Sequence, residues 1–248
     1  MNDRKKTPEQ ELAVHTRRAF LTMGVAAAAG YGSWRWLRSR PEVEGLAQPF
    51  RRMLHFNETV ARAYGQSRLA PVFPPGSIQK IRVNGDIGLG DAFDPGKWHL
   101  TIKPLTGAGQ IRRVTVADIQ ALPKVEHITQ LKCIEGWSVV THWTGARFSD
   151  FTAKFAPESV HAPYVSMQTP DEEYFVGLDM PSALHPQTLL CYEMNGAPLA
   201  MENGAPLRLA IPVKYGIKNI KRISTITYTQ QRPDDYWAQE GYDWYAGL

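Results

Sequence analysis

The sequence predicts a mixed α+β, β-rich single domain behind a basic N-terminal segment. Three observations carry that expectation. Short alternating apolar runs recur through the chain, Pro and Gly are scattered between them, and few helical periods are long. With 248 residues, 43% of them hydrophobic, the chain can bury a sizeable core. Its ordinary composition excludes a disordered, collagenous or disulfide-dense protein. No apolar run reaches the roughly 18–20 residues of a spanning helix, which excludes a polytopic membrane protein. The formal charge of +4 is small. Much of the excess lies in the first 52 residues, at Arg17, Arg18, Arg35, Arg38, Arg40, Arg51 and Arg52, and the remainder is close to neutral. The charge therefore reads as an address, with no nucleic-acid partner implied.

Residues 1–40 form the first unit. A polar, basic stretch runs to Thr16, followed by Thr16-Arg17-Arg18-Ala19-Phe20-Leu21 and a small-residue run from Thr22 to Gly32. This is the order of a secretory signal, and paired arginines before Phe-Leu resemble the twin-arginine export signal. That route carries proteins folded before export, often around a cofactor. Ala27-Ala28-Ala29 offers a cleavage site, while Trp34-Arg35-Trp36 reads as an interfacial anchor, so a cleaved signal and a retained tether both follow. Either places the body in the periplasm.

Residues 41–77 read as a connector. Leu54–Tyr64 has helical character, and the Pro-rich run Leu69–Gly76 excludes regular structure. Ile81-Arg82-Val83 reads as a strand ending at an Asn84-Gly85 turn, and Trp98–Ile102 as a half-buried strand. Val114–Leu122 reads as a short helix capped by Thr115 with Asp118 three residues on, stopped by Pro123. Further strands are expected over Ile128–Cys133, Tyr164–Gln168 and Ile223–Thr229. Leu189–Glu193 and Pro198–Met201 flank a hairpin turn at Asn195-Gly196. No internal repeat, Walker loop, GxGxxG, HExxH or GxSxG is found.

The chemistry centres on two cysteines. In an exported protein, Cys133 and Cys191 would ordinarily form one disulfide. Cys191, inside Thr188-Leu-Leu-Cys-Tyr-Glu193, reads instead as a small core hydrophobe. Cys133 ends an apolar strand before Ile134-Glu135-Gly136-Trp137-Ser138 and Trp143-Thr144-Gly145. A thiol there could be a nucleophile served by His127 or His142, or a soft metal ligand. The second role suits a cofactor-loaded exported protein.

Leu131-Lys-Cys-Ile-Glu-Gly-Trp-Ser138 followed by Trp143-Thr-Gly145 resembles the molybdenum-ligand loop of the sulfite-oxidase-fold molybdopterin enzymes. The nearest branch is the periplasmic methionine-sulfoxide reductase catalytic subunit (the MsrP or YedY type). Ala183–Leu190, Asn203-Gly-Ala-Pro-Leu-Arg208 and Pro212–Lys221 keep the family's order, and the resemblance covers roughly residues 78–230. It implies an α+β molybdopterin-binding catalytic domain over 78–248, holding Mo-molybdopterin. Cys133 would be the protein thiolate on molybdenum. Asn57, Thr169, Asn203, Arg208, Asn219, Ile220 and Lys221 would contact the cofactor, with Glu135 beside the metal managing a proton or water. A guanidinium and an ammonium near Gly-rich backbone also suit an anionic phosphate. Taken singly, Arg208 and Lys221 read as solvated charges and Asn203-Gly204 as a turn.

The implied reaction is oxygen-atom transfer, with a small-molecule or protein sulfoxide such as oxidised methionine as substrate. Sulfite oxidation and a non-catalytic exported binding protein are the alternatives. The sequence has no haem-attachment CxxCH, so the resemblance implies an external electron donor, a membrane haem b protein. As departures from the family, the sequence is expected to lack its longer C-terminal extension and the sulfite oxidases' dimerisation domain.

Overall fold

The computed structural model describes residues 8–90, 93–105 and 109–248, with side chains described from residue 16 onward. The chain divides into two units, Met1–Met53 and Leu54–Leu248. In the first, α1 (Pro8–Arg38) is a single helix whose described side chains are almost all exposed, and Arg38 and Arg40 stack on Trp34 and Trp36. Among the described residues no helix is long and apolar enough to cross a membrane. Strands β1 (Glu42–Val43) and β2 (Leu46–Ala47) pair antiparallel around Glu44 and Gly45, both at positive φ. The guanidinium of Arg51 closes that turn by donating to the Val43 and Glu44 carbonyls.

Helix α2 (Gln48–Gly65) carries the chain from the first unit into the second. As the prolines dictate, the following connector has only a one-residue bridge, Val72 to Thr129, and a 3-10 turn at Pro75–Ser77. The expected strand at Ile81–Val83 does not form. Gln79 is the last residue tied to β-structure, through its amide to the Val140 carbonyl. Beyond it the chain leaves the ladder to wall a cavity.

Next come β3 (Leu100–Lys103), β4 (Arg112–Val114) and α3 (Val116–Gln120), which starts on the expected Thr115–Asp118 capping box. A long hairpin follows, β5 (Lys124–Lys132) and β6 (Ser138–Arg147), then α4 (Phe148–Phe155). Strands β7 (Tyr164–Gln168) and β8 (Phe175–Asp179) pair in register, with α5 (Met180–Ala183) after them. β9 (Leu189–Met194) turns through Asn195-Gly196, where the sequence predicts the turn, into β10 (Ala197–Pro198); the expected strand over Pro198–Met201 stops at Pro198, and a 3-10 turn over Met201–Asn203 follows. β11 (Arg208–Ala210), β12 (Thr225–Thr229) and α6 (Tyr236–Gln239) complete the chain.

Two five-stranded sheets result. One runs β10-β9-β6-β5 with β11 also on β9, and the other runs β4-β3-β12-β7-β8. In the second, β3 and β12 are parallel and the other pairs antiparallel. Alternation along β3, β7 and β12 sends Leu100, Ile102, Val165, Met167, Ile226 and Tyr228 to the core. There they meet Phe148 and Phe151 of α4 and Leu190 and Leu209 from the first sheet. Trp143, Leu189, Cys191 and Met194 form a smaller cluster on the other face of that sheet. Cys191 is fully buried within it, and both cysteines are free thiols, so the disulfide expectation fails. Burial pushes the Cys191 thiol up to about 12, leaving it a packing residue.

Candidate active site

The end of β5 sets the site. Beyond Lys132 the backbone closes on itself: the Cys133 amide donates to the Trp137 carbonyl at 2.9 Å, and the Gly136 amide donates to the Cys133 carbonyl at 3.2 Å. Gly136 sits at φ +87°, so the glycine of the Cys-Ile-Glu-Gly-Trp sequence is there for its conformation. The turn aims Cys133 into a cavity of about 180 Å³ and brings Glu135 and Trp137 to its mouth. Glu135 accepts from the Trp137 indole N–H at 2.9 Å and from the Asn84 amide at 3.5 Å. That indole contact holds the Glu135 carboxyl below its ordinary value, with Asn84 and Arg82 adding to it. The Asn84 amide nitrogen lies 4.0 Å from the Cys133 sulfur.

The opposite wall comes from β11 and the segment after it. Arg208, paired with Cys191 across the β11–β9 ladder, is buried. It donates to the Asn203 carbonyl at 3.0 Å and the Asn219 carbonyl at 3.3 Å, and lies 4.9 Å over the Trp143 ring. Burial lowers it to about 10, so it stays a cation at neutral pH. Gly204, at φ +96°, lets the backbone approach Lys221: a Cβ there would come within 2.6 Å of the Lys221 Cβ. Lys221 reaches across to the Asn84 and Gly85 carbonyls at 2.8 and 2.9 Å, and burial together with Arg208 lowers it to about 8. Asn219 spends its side chain on its own loop, accepting from the Ile211 amide and donating to the Tyr215 carbonyl.

Cys133, Glu135, Asn203, Arg208, Asn219 and Lys221 thus line one cavity. The other three expected contacts lie elsewhere. Ile220 is a core residue whose carbonyl accepts from the Leu209 amide. Thr169 is buried against Gly88, with its hydroxyl donating to Asp171 at 2.6 Å and accepting from the Tyr174 amide at 3.1 Å. Asn57 is exposed on α2 and lines a separate groove. Asn84 faces Cys133 instead, a residue whose Asn-Gly pair reads only as a turn in the sequence. Aromatic residues Trp237 and Tyr242, from the C-terminal segment, also escape sequence reasoning and wall the mouth.

No histidine lines the cavity among the described residues. His142 faces Glu126 at 3.3 Å, and His127, lowered by burial, lies back along β5 opposite Trp143. A thiol nucleophile with a histidine base therefore has no geometry here. The chemistry of the lining does suit an anionic cofactor with a soft metal. It offers one thiol, donors from Asn84 and Lys221, and the buried Arg208, whose Nε has no hydrogen-bond partner among the described residues.

Residues 88–237 match the family described as "Oxidoreductase molybdopterin binding domain". The chain belongs to that family. It is an oxidoreductase domain for a molybdenum–molybdopterin cofactor. It is 32% identical over 199 residues to an Azospira oryzae protein provisionally named protein-methionine-sulfoxide reductase subunit YedZ1, covering 79% of this chain and 74% of that one. It is 38% identical over 169 residues to the protein-methionine-sulfoxide reductase catalytic subunit MsrP of Xanthomonas campestris, covering 59% of this chain and 52% of the relative. With MsrP of Campylobacter jejuni it shares 32% identity over 185 residues, 65% of this chain and 60% of that one. The matched stretch thus spans about half to three fifths of the MsrP chains. Among solved structures, the sulfane dehydrogenase SoxCD of Paracoccus pantotrophus superposes with a TM-score of 0.51 at 14% identity, over 67% of this chain and 46% of that one. That likeness bears out the α+β sulfite-oxidase-type fold.

Proposed function

We propose that the protein reduces a sulfoxide, such as methionine sulfoxide in a protein, with electrons from a membrane haem protein. In this reading it is exported to the periplasm by the twin-arginine route. When bound, the cofactor supplies two-electron oxygen-atom transfer, turning a sulfoxide, two electrons and two protons into a thioether and water. Cys133 holds the metal. Arg208, Asn203 and Lys221 would hold the anionic pterin and its phosphate, Asn219 fixes the wall behind them through Ile211, Tyr215 and Arg208, and Lys221 also fixes the Asn84 loop over Cys133. Glu135 orients Trp137 and Asn84 at the mouth, where the aromatic surfaces of Trp137, Trp237 and Tyr242 suit a thioether side chain. The observation that carries this reading is the convergence of Cys133, Asn84 and the buried Arg208 on one cavity. The MsrP names of the relatives favour sulfoxide reduction over sulfite oxidation.

The test is metal analysis with a visible spectrum on protein exported from a molybdenum-replete host, followed by viologen-driven reduction of methionine sulfoxide. About one molybdenum per chain, lost in Cys133→Ala with the fold retained, is expected. Well-folded protein without molybdenum, or turnover of sulfite in place of sulfoxide, would overturn the reading.

A further inference from the structure

Tyr174, the residue before β8, lines the cavity that holds Cys133. Its phenol donates to the Ile217 carbonyl at 2.6 Å. Ile217 belongs to the 3-10 turn Gly216–Lys218, which leads into Asn219 and walls the cavity. The Trp237 indole is a second hydrogen-bond partner of that phenol, and as a donor only it points its N–H at the oxygen. Trp237 stands edge-on to Tyr242, with ring centroids 5.2 Å apart at 88°, and its carbonyl accepts from the Tyr242 amide at 2.9 Å. One hydroxyl thus joins the cofactor wall to the two C-terminal aromatics of the mouth. A second link runs beneath it. Lys218 of the same turn is fully buried and donates to Asp235 and to the Gly177 carbonyl. Asp235 caps α6 by accepting from the Ala238 amide. The start of α6 is therefore fixed to the wall by a buried ion pair. The helix is only one turn long, so its own hydrogen bonds do little to hold the Trp237 side chain that leaves it.

We propose that Tyr174 is a positioning residue for sulfoxide reduction: its phenol holds Trp237, and through it Tyr242, at the angle to the cofactor wall that receives the methyl-sulfoxide end of an oxidised methionine. The proposal rests on the sulfoxide-reductase reading above. Such a side chain offers carbon and a polarizable sulfur to an aromatic surface, and contacts of that kind depend on how the rings are turned. The Tyr174 ring stays in place by packing on Tyr236 at 5.4 Å, so the hydroxyl alone sets the Trp237 angle. Its loss weakens substrate binding and leaves the chemical step at Cys133 as it was.

The test uses molybdenum-loaded protein, dithionite-reduced benzyl viologen and a short peptide carrying one methionine sulfoxide. Tyr174→Phe keeps the ring and removes the hydroxyl, and Trp237→Phe severs the same contact from the other side. Tyr228→Phe, which loses a core hydroxyl bonded to Thr152 away from the cavity, is the control. All are matched to wild type in molybdenum content and circular dichroism. Both site variants should raise KM about three- to tenfold with kcat within about twofold of wild type, and the control should change neither. The dissociation constant of the same peptide bearing methionine sulfone, measured by calorimetry on the oxidised protein, should rise by a like factor without any turnover. The double variant should bind no worse than Trp237→Phe alone, because both changes break one contact.

Wild-type KM and sulfone affinity in Tyr174→Phe would overturn the proposal. So would effects that multiply in the double variant, since the two side chains would then act separately. Loss of molybdenum from Tyr174→Phe would overturn it too, making the phenol a support of the cofactor wall alone. If Tyr174→Phe does not fold, a wild-type KM in Trp237→Phe gives the same negative answer. A wild-type protein that reduces no sulfoxide would strike the reading of function itself, and this proposal with it.

Discussion

Arg208 joins the core to the chemistry in one side chain. Its pairing with Cys191 buries it beside Trp143. Two of its three nitrogens, Nη1 and Nη2, donate to the Asn203 and Asn219 carbonyls, and the third, Nε, has no hydrogen-bond partner among the described residues. A buried donor left unpaired costs about 1–3 kcal/mol, which a cofactor acceptor would recover. Arg208→Lys keeps the charge but loses the planar fork that presents separate nitrogens to two diverging carbonyls and to a ligand. The variant is expected to fold, to lose about 1–2 kcal/mol of stability and to release cofactor faster than wild type. Chemical denaturation and molybdenum content after dialysis measure the two effects separately. Retention equal to wild type would reduce Arg208 to a structural role.

Among the elements, the β5–β6 hairpin does most to place the site, and it was only half legible in the sequence. Its first strand was visible as an apolar run ending at Cys133. Its second, Ser138–Arg147, was not, because buried on both faces it shows no alternation, and Trp143-Thr144-Gly145 reads as a motif. The register shift at Thr144/Gly145 explains the glycine. There β6 passes so close to β9 that a Cβ on Gly145 would collide with the Leu190 carbonyl. Gly145→Ala should therefore cost about 1–3 kcal/mol through forced backbone movement. Thermal unfolding beside an alanine at exposed, open Gly76 as control measures it, and equal midpoints would show that the ladder yields freely. Turns and caps were readable because their chemistry is local: the Thr115 capping box and the Asn195-Gly196 hairpin lie where their residues put them. Cys133, Asn203, Arg208 and Lys221 were readable from motif order. Asn84 was not, since only the fold brings it to a sulfur 49 residues away in sequence. Trp237 and Tyr242 were hidden for the same reason.

Across the second unit, one buried carboxylate ties together segments far apart in the chain. Asp179, at the end of β8, accepts from Arg62 of α2 and from Gln66 just beyond it at 2.9 Å each and from the Ser182 amide at 3.4 Å, and stands 3.7 Å from the Lys214 Nζ. Lys214 in turn donates to the Tyr245 carbonyl and lies over the Tyr245 ring, which fastens the C-terminal segment. Burial alone would raise the Asp179 carboxyl, but Lys214, Ser182 and Arg62 outweigh it and hold it below the ordinary 3.8. The unfolded chain therefore takes up this proton first as the pH falls. The stability Asp179 contributes is complete above about pH 4 and is lost as the pH falls through its folded value. Asp179→Asn removes the charge that compensates the Arg62 guanidinium and takes away the partner of Lys214, an amine that burial lowers to about 6 even with the carboxylate beside it, and should cost on the order of 3 kcal/mol at neutral pH. Having no proton to take up at this position, the variant should lose less further stability in acid than the wild type does. Urea unfolding of both proteins at pH 7 and in steps below pH 4 tests this: the two stability curves should converge on acidification. Curves that stay parallel would mean that α2 and the C-terminal segment are held to β8 by packing, with Asp179 contributing no more than its shape.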